Sequence, residues 1–596
     1  MTDLLIIGGA SLDLLHLADG SFESAGGAGL YTALAAHRCG ASVALLAPRP
    51  EPCPPPLQPL ADRLTAWHGS PVAPTDLPHF EIAYPEGRTE YRQAKFGVMP
   101  QLTPDLLPAD LSSYSLIHVT PLGDPARQLA FLEACRQRGA RQLAAGTNFV
   151  FIEQHAAIIR QVMATADYFF LNQREALALF GTLDKAQIAP GKVLFITLGD
   201  KGVMVVQGDY ATVIPTQAVV AVDPTGAGDS FCGATLARLR QKQHPIMAAQ
   251  QALPLVTEMV RQVGPAALLS HEPVPAIALD GRVRLNERQL ARVAEAIAHY
   301  PGTTPHDFVT AVLPPINHPA TLGYFFAATL QQFSFWSIQA GAYDRPMWAS
   351  INGQRHKGSE YLWAAFWRQE LANPGFCTPQ QQAELNQDKL MQLMRDDAGA
   401  NPLPALPLHL SQAQAYGRDM LALQLTPQTI INEAQASERP LQTFLARLDQ
   451  IGGYKEDPLR KKSALLAIIL NQRPEKFLPF ADDEDVTPVL DYHAMRACLR
   501  LGLVEIVDEQ LQVKLVRREL VTPDEEWAVR LACYRAYEQL VVRSGKRYGA
   551  VGWFLFSSMR RYCLEMEVTL CSQCHLEKVC EKQRKLFQPV IRTVFY

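Results

Sequence analysis

The chain has 596 residues, of which 48% are hydrophobic and 19% are charged, and its net charge is −4. This length allows about two to four domains, and the nearly balanced charge gives no overall electrostatic basis for binding nucleic acid or a membrane surface. The first residues, MTDLLIIGGASLDLL, are strand-like and lack the basic segment and cleavage site of a signal peptide. Because no run of about 18 apolar residues exists, we expect a cytoplasmic protein without a membrane span.

The first half of the chain alternates short apolar runs with helical stretches. The runs are LLIIGG, VALLAP, SLIHVTP, DYFFLN, VLFITLG and GVMVV. This alternation predicts an α/β domain in which helices flank a mostly parallel sheet. A Pro-rich segment over residues 271–286 follows. We therefore expect a first domain over residues 1–277 and a linker over residues 278–300.

One glycine-rich segment of this half, DPTGAGDSFCGA, opens a predicted helix. Gly226, Ala227 and Gly228 allow a close approach of the backbone to an anion, and the N–H groups of a helix start point toward it. Asp229 follows where a base could take the proton of an attacking hydroxyl. Phosphoryl transfer needs mainly positioning and charge neutralisation, so a base, an anion hole and Mg²⁺ suffice. A glycine turn with an N-capping aspartate is the alternative.

Other signals accompany this segment. Asn172 and Glu175 follow a predicted strand, and they either hold Mg²⁺ and phosphate or only start a helix. The segment TLGDKG ends another strand in a turn that contains Thr197, Gly199 and Gly202. Near the N-terminus, a glycine pair enters an Ala-rich helix in SAGGAGLYTALAAHRCGA.

On these motifs, residues 1–275 resemble the ribokinase (PfkB) family of sugar and nucleoside kinases, for which GAGD is a specific signature. The resemblance implies ATP and Mg²⁺ as cofactors, with Asp229 as the base and the TLGDKG turn near the nucleotide. It also implies that Asp13 binds sugar hydroxyls. The alternative is that Asp13 is only a turn residue at the end of a strand. The glycines that would allow the sugar to approach are Gly26 and Gly27.

Two positions depart from the family pattern. Tyr31 stands where the family has asparagine after the glycine pair, and residues 146–148 read GTN where the family has DPN. Both departures suggest an unusual acceptor, and we expect an aromatic base that stacks on Tyr31.

The second half of the chain is helical in its pattern, with apolar residues at i, i+3 or i+4 and i+7. We expect an all-α domain over residues 301–560 and a cysteine loop with a basic tail over residues 561–596. Within it, VLDYHAMRACLRLGLV places Asp491 at the start of an amphipathic helix. From its position alone, Asp491 either caps this helix or acts in catalysis.

The segments DPLRKKSALLAIIL and LDYHAMRACLRLGLV resemble the helix-hairpin-helix base-excision glycosylases. In that family a lysine-bearing helix precedes a catalytic aspartate, which implies a role for Asp491 and for Lys461 or Lys462. Cleavage of an N-glycosidic bond develops positive charge on the sugar, which a carboxylate can stabilise while it orients water.

A second resemblance covers residues 300–556. The segments LQQFSFW, YLWAAFWR, LDYHAMR and GAVGWFLF occur in the order typical of queuosine 5′-phosphate N-glycosylases, a queuosine salvage family. It implies release of a 7-deazaguanine base from a nucleoside monophosphate. Where that family has an acidic residue before the late tryptophan, this chain has Gly552. Candidates for stacking on the base, unless they are core residues, are Phe335, Trp336, Tyr492 and Trp553.

Four of the eleven cysteines lie close together near the end of the chain: Cys563, Cys571, Cys574 and Cys580. Their spacing is close to that of the [4Fe–4S] loop of the endonuclease III group of glycosylases. Four thiolates suit either an iron–sulfur cluster or structural zinc. We expect a structural cluster that ties the basic tail to the helical domain.

The two halves together suggest a bifunctional salvage enzyme, in which a nucleoside kinase makes the monophosphate that a glycosidase then cleaves. Lys461, Lys462 and Arg496 are the candidates for holding the 5′-phosphate. Two alternatives remain: a sugar kinase fused to a DNA repair glycosylase, and a kinase regulated by a nucleoside-binding domain. The expected partners are a nucleoside and ATP, and a dimer is possible.

Overall fold

The computed structural model describes residues 3–85, 90–300 and 306–596. The chain divides into two compact units, unit 1 up to Ile277 and unit 2 from Ala278 to Tyr596. In the described ranges, no helix combines the length and the apolar character needed to cross a membrane.

Unit 1 alternates strands and helices. Its strands are β1 (Leu4–Ile7), β2 (Ser11–Leu17), β3 (Gly20–Gly26), β4 (Val43–Leu46), β5 (Arg49–Pro50), β6 (Ala66–His68), β7 (Pro71–Val72), β8 (His79–Ala83), β9 (Glu90–Lys95), β10 (Leu116–Val119), β11 (Leu143–Gly146), β12 (Tyr168–Asn172), β13 (Val193–Thr197), β14 (Val203–Gln207) and β15 (Tyr210–Ile214). Its helices are α1 (Ala28–Arg38), α2 (Gln58–Ala61), α3 (Pro125–Gln137), α4 (Phe149–Thr165), α5 (Gln173–Phe180), α6 (Ala227–Leu239), α7 (Pro245–Met259) and α8 (Ala266–Leu269).

The central sheet of unit 1 has nine strands in the order β15-β14-β13-β12-β11-β10-β1-β4-β6. All neighbouring strands from β6 to β13 run parallel, and β14 and β15 add an antiparallel edge. Every residue of β1, β4 and β10 is buried, because helices cover both faces of a parallel sheet and its strands are therefore continuously apolar. The predicted α/β domain with a mostly parallel sheet is confirmed.

A second sheet of unit 1 has the order β3-β2-β8-β9. Its pairs β2–β3 and β8–β9 are antiparallel, whereas β2 and β8 run parallel. This sheet carries Asp13 on β2, in register with Ser24 on β3.

Unit 2 is mainly helical, as expected. Its helices are α9 (Glu287–His299), α10 (Thr321–Thr329), α11 (Ser359–Ala372), α12 (Pro379–Ala383), α13 (Gln387–Leu393), α14 (Leu406–Ala422), α15 (Pro427–Gln435), α16 (Pro440–Leu448), α17 (Lys461–Gln472), α18 (Tyr492–Leu501), α19 (Glu509–Arg517), α20 (Pro523–Ser544) and α21 (Tyr548–Arg561). Its strands are β16 (Val283–Leu285), β17 (Trp336–Gln339), β18 (Ala342–Pro346), β19 (Trp348–Ile351), β20 (Gln354–Lys357) and β21 (Val504–Ile506).

The expectation of an all-α domain is corrected by these strands. β17 pairs with β18, β19 with β20, and β16 with β21, all antiparallel. The turn between β19 and β20 contains Asn352 and Gly353, both at positive φ, and Asn-Gly is a strong hairpin signal. Helical periodicity alone does not reveal this hairpin.

The first and last segments of unit 2 pack against the rest of this unit. Residues 278–300, expected as a linker, contain β16 and α9, and α9 buries Leu290, Val293 and Ile297. In the C-terminal segment, Phe587 and Val590 lie in a core cluster with Trp336. The backbone N–H of Ser334 donates to the carbonyl oxygen of Tyr596 at 3.0 Å.

Candidate active sites

The glycine-rich segment of unit 1 forms the start of α6. Gly226 has φ 73° and precedes the helix, and no side chain caps the first turn. A Cβ at Gly226 would lie 2.3 Å from Cγ of Tyr31, so glycine is required both by its φ and by the space available. The uncapped N–H groups of this 13-residue helix are suited to bind an anion.

Asp223 holds this segment in place, and it was not among the predicted site residues. Its Oδ1 accepts a hydrogen bond from the N–H of Thr225 at 2.9 Å, and its Oδ2 accepts one from the N–H of Gly264 at 2.7 Å. The Thr225 hydroxyl also donates to Asp223 and is hydrogen-bonded to the hydroxyl of Tyr84. An aspartate two residues before a threonine is a turn signal, and it could have been found in the sequence.

Asp229 and Asp13 are carboxylates of the same region. Asp229 lies in the first turn of α6, and burial raises its pKa to about 6. Burial also raises the pKa of Asp13 to about 6, against hydrogen bonds from Ser11 and from the N–H of Phe80. Both carboxylates act electrostatically on Tyr31, whose pKa is raised by burial and then by these neighbouring charges. The predicted base and the predicted sugar-binding acid are therefore both within electrostatic range of Tyr31.

The placement of Tyr31 does not meet the expectation that its ring stacks on a substrate base. The side chain is 1% exposed, and its ring fills the space beside Gly226. Tyr31 is thus a packing partner of the turn that precedes α6.

Gly26 and Gly27 make room for backbone and side chain at the start of α1. A Cβ at Gly26 would lie 1.9 Å from Oδ2 of Asp13. Gly27 has φ 96°, and a Cβ there would lie 2.6 Å from the carbonyl oxygen of Gly9. The glycine pair therefore allows the Asp13 carboxylate to occupy its position.

Asn172 and Glu175 form a capping box at the start of α5. Asn172 Oδ1 accepts from the N–H of Glu175 at 3.0 Å, and Glu175 Oε2 accepts from the N–H of Asn172 at 2.8 Å. Burial and, to a smaller extent, the charge of Asp229 raise the pKa of Glu175 to about 7, against the hydrogen bonds with Asn172. The residues thus start a helix, and Glu175 is also an electrostatic neighbour of Asp229.

The TLGDKG turn lies at the same end of the sheet as Asn172. Thr197 is the last residue of β13 and is in register with Asn172 on β12. Gly199 and Gly202 have φ 67° and 99°, and a Cβ at Gly202 would lie 2.0 Å from the carbonyl oxygen of Ile214.

Unit 2 contains a cavity of about 890 Å³, within the usual range of small-molecule sites. Five of the residues predicted from the sequence line it: Phe335, Lys461, Asp491, Tyr492 and Trp553. Residues that the sequence did not single out also line it, among them His306, Lys357, Trp363, His493, Phe556 and Arg560.

Asp491 is both the N-cap of α18 and a lining residue of this cavity. Its Oδ1 accepts from the N–H of Ala494 at 2.9 Å, and its Oδ2 lies 3.2 Å from Nδ1 of His493. Burial would raise the pKa of Asp491, but His493 and then Lys461 and the Ala494 N–H lower it to about 2. Asp491 is therefore a carboxylate at neutral pH.

Lys461 lies at the first position of α17 and is 5% exposed. Its Nζ donates to the carbonyl oxygen of Gln332 at 2.8 Å. Burial lowers the pKa of Lys461 to about 8, and the negative charge of Asp491 opposes this shift.

Three predicted substrate residues are not among the described residues that line the cavity. Lys462 donates from Nζ to the carbonyl oxygen of Leu330 at 3.1 Å. Arg496 donates from Nη1 to Gln588 at 3.0 Å and lies 3.5 Å from Glu565. Trp336 stacks on Tyr343 at a centroid distance of 5.5 Å. Because each side chain is held elsewhere, the structure does not bring the three to Asp491.

Aromatic rings form part of the cavity wall. The rings of Trp553 and Phe556 are 5.6 Å apart, and His306 is parallel to Trp553 at 4.8 Å. A Cβ at the preceding residue, Gly552, would lie 2.2 Å from the hydroxyl of Tyr537. This contact explains physically why residue 552 carries no side chain.

Burial raises the pKa of Cys580 to about 11, and the charges of Cys563, Cys574 and Cys571 contribute to this shift. Arg500 donates from Nη1 to Sγ of Cys563 at 3.1 Å. In the described part of the chain, however, no three His, Cys, Asp or Glu residues are close enough to hold a metal ion. The geometry therefore does not support the expected [4Fe–4S] cluster or zinc.

The comparisons with known proteins concern unit 1. Residues 101–271 match the family model of the pfkB family carbohydrate kinases. A cytidine kinase from Thermococcus kodakarensis is 30% identical over 250 residues, which cover 40% of this chain and 88% of that protein. These matches identify unit 1, with its α/β fold, as a kinase domain. The chain belongs to the pfkB family of carbohydrate kinases.

Unit 1 is also similar to a fructokinase and to an adenosine kinase of known structure. A fructokinase from Vibrio alginolyticus is 31% identical over 136 residues, which cover 18% of this chain and 44% of that protein. The crystal structure of adenosine kinase from Sinorhizobium meliloti has a TM-score of 0.39 and 20% identity, and it covers 46% of this chain and 97% of that one.

Proposed function

We propose that unit 1 transfers the terminal phosphoryl group of ATP to the 5′-hydroxyl of a ribonucleoside. The observation that supports this most directly is the position of Asp229 in the first turn of the uncapped helix α6. Asp229 takes the hydroxyl proton as that oxygen attacks the γ-phosphorus, and the bond from phosphorus to the β-phosphate oxygen breaks to release ADP. The N–H groups of α6 stabilise the charge on the transferred group.

Magnesium, which the family implies, fits the oxygen donors of this region. Mg²⁺ prefers oxygen ligands and is usually held by one or two carboxylates, phosphates and water. Glu175, with Asn172 beside it, would hold the ion. The bound ion would neutralise part of the phosphate charge.

The similarity to a cytidine kinase over 88% of its length supports a nucleoside as acceptor. The shorter similarity to a fructokinase makes a sugar the second candidate. Incubation with ATP, Mg²⁺ and a panel of nucleosides, ribose and fructose, followed by mass spectrometry, distinguishes them. Efficient phosphorylation of fructose or ribose with nucleosides left unchanged would contradict the nucleoside proposal.

We propose that unit 2 hydrolyses the N-glycosidic bond of the nucleoside 5′-monophosphate made by unit 1. The supporting observation is an ionised carboxylate, Asp491, at a cavity whose wall is aromatic. Asp491 stabilises the positive charge that develops at C1′ and orients water. The water oxygen bonds to C1′, the bond from C1′ to the base nitrogen breaks, and the base leaves with a proton. The resemblance to queuosine salvage proteins favours a 7-deazaguanine base.

The phosphate of this substrate needs cations that the cavity presents. Lys357 and Arg560 line it together with Lys461. Lys357 Nζ lies 3.3 Å from Glu565, and Arg560 lies 2.9 Å from Glu360 and over the ring of Phe556. We assign the phosphate to these cations, in place of Lys462 and Arg496.

Two variants test the order of the reactions in one tube. Asp229→Asn protein should cleave added monophosphate but not nucleoside, because it cannot make the phosphate. Asp491→Asn protein should accumulate monophosphate. Mixing the variants should restore base release from nucleoside. If Asp491→Asn protein still releases base, Asp491 is only a helix cap.

The remaining candidate functions are outcomes of the same assays. Release of a base from duplex DNA, without release from any monophosphate, would favour a repair glycosylase. Tight binding of a nucleoside by Asp491→Asn and wild-type protein alike, with a change in kinase rate and no base release, would favour a regulatory domain.

A further inference from the structure

A buried imidazole lies between two carboxylates beside the unit 2 cavity. The side chain of His493 is 5% exposed. Its Nδ1 lies 3.2 Å from Oδ2 of Asp491, and its Nε2 lies 3.4 Å from Oε1 of Glu565. Because the other Asp491 oxygen accepts the N–H of Ala494, both oxygens of this carboxylate have a fixed partner.

Glu565 is itself held from several sides. The hydroxyl of Tyr343 donates to its Oε2 at 2.8 Å. Lys357 Nζ lies 3.3 Å from its Oε1, and Arg496 Nη1 lies 3.5 Å from the same oxygen. Buried charges are stable only when they are paired and hydrogen-bonded in this way. Glu565 is therefore a rigid second contact for the imidazole.

Other titratable groups also face Asp491. Lys461 comes from α17, Tyr492 from α18 and Tyr537 from α20, and each interacts electrostatically with it. Of these groups, Lys461 already donates a hydrogen bond to Gln332. His493, which contacts Oδ2 directly, is the largest single influence that favours the ionised form of Asp491.

The environment of His493 itself is mixed. Burial lowers its pKa, Asp491 and Glu565 oppose that change, and Arg496 supports it. The rings of Tyr492 and Phe556 pack on the imidazole at centroid distances of 4.2 and 5.1 Å. These contacts hold the ring in the orientation in which Nδ1 faces Asp491.

We propose that His493 is a positioning residue for base release, which donates from Nδ1 to Asp491 and holds that carboxylate ionised in one orientation. This inference rests on the proposed hydrolysis in unit 2. The reaction needs the anion of Asp491 because positive charge develops on the sugar. Without His493, burial would be opposed mainly by Lys461 and the Ala494 N–H, and Asp491 would be protonated at a higher pH than in wild type.

Three variants of His493 test the proposal. His493→Asn can place an amide N–H near the position of Nδ1, whereas His493→Gln places it near Nε2 and His493→Leu has no donor. For the Gln and Leu variants, the acid limb of the pH profile for kcat of base release should shift to higher pH than in wild type, because protonation of Asp491 removes the anion that the reaction needs. His493→Asn, which keeps a donor near Nδ1 but carries no charge, should have its acid limb between that of wild type and those of the other two variants. A wild-type acid limb and kcat in both the Gln and Leu variants would overturn the proposal.

A second measurement does not depend on activity. Carbon-13 NMR of protein labelled at the aspartate carboxyl carbons, with the Asp491 signal assigned by its loss in Asp491→Asn, reports the titration directly. The signal should titrate at higher pH in His493→Gln than in wild type and His493→Asn. If wild-type protein releases no base from any monophosphate, the proposed hydrolysis fails. The NMR titration then decides alone whether His493 holds Asp491 ionised, and an unshifted signal refutes it.

Discussion

The ring of Tyr31 occupies the space that any side chain at residue 226 would need, because a Cβ at Gly226 would lie 2.3 Å from its Cγ. The first helix of unit 1 thereby fixes the position of the turn that opens α6. The turn places Asp229 next to the uncapped N–H groups of that helix.

Gly226→Ala should destabilise unit 1 and abolish phosphoryl transfer. A side chain at φ 73° costs about 1–2 kcal/mol in backbone strain, and the collision with Tyr31 adds to this cost. Thermal unfolding and steady-state kinase assays measure the two effects. The matched control is Gly228→Ala, whose Cβ meets nothing within 4 Å. It should leave the Tm near wild type and raise the KM for ATP, since it crowds the anion-binding turn. Equal destabilisation by both changes would contradict this assignment.

The kinase reaction should depend on pH through Asp229. Burial raises the pKa of Asp229 to about 6, and only the ionised form can accept the hydroxyl proton. We therefore expect kcat to rise with pH and to be half-maximal at about pH 6. Asp13 titrates in the same range, but as a substrate-binding group it should affect KM rather than kcat.

Asp229→Asn is the control for this profile. It should lower kcat on the order of 10²–10⁴-fold, the usual contribution of a general base, and the residual rate should not vary with pH near 6. Near-full activity of Asp229→Asn would show that another group accepts the proton.

Gly552→Ala should destabilise unit 2, because the added methyl group meets the hydroxyl of Tyr537 at 2.2 Å. Overpacking of a core typically costs about 1–3 kcal/mol. Thermal unfolding should show the loss, and Tyr537→Phe in the same protein should recover part of it by removing the oxygen. If the double variant is no more stable than Gly552→Ala alone, the hydroxyl is not the obstacle.

The metal content of the cysteine loop is a prediction from its spacing. Protein purified without oxygen should contain iron and absorb broadly near about 400 nm if the four thiolates hold a cluster. Cys574→Ser should then remove the iron and leave the kinase reaction intact. Stoichiometric zinc without iron would support the alternative ion. Protein with neither metal would agree with the structure, in which no three of the described His, Cys, Asp or Glu residues are placed to hold an ion.

Much of unit 1 could be predicted because buried parallel strands read as continuous apolar runs. The partners of the functional residues were harder to predict. Lys461 and Lys462 are adjacent, but successive residues of a helix point about 100° apart, and only Lys461 reaches the cavity. Phe335 lines the cavity and Trp336 does not, because successive side chains alternate across an extended backbone. The sequence cannot tell which residue of each pair lines the cavity, because it does not show which face of the segment points inward.

Lys357 and Glu565 were missed because their partners are distant in sequence. Glu565 contacts Tyr343 across 222 residues, and no local pattern marks such a pair. The capping box of Asn172 and Glu175, in contrast, is a local signal and was available from the sequence.

The pairing of β16 with β21 has a consequence for biosynthesis. The ion pair between Arg284 and Glu505 joins residues that are 221 positions apart. A ribosome adds about 5–20 residues per second, so β16 emerges on the order of ten seconds or more before its partner strand exists. During that interval unit 1 already has its complete sequence outside or near the exit tunnel and can fold. The growing chain therefore contains the whole kinase sequence before the strand that pairs with β16 has been synthesised. Any dependence on chaperones should be looked for in this nascent intermediate.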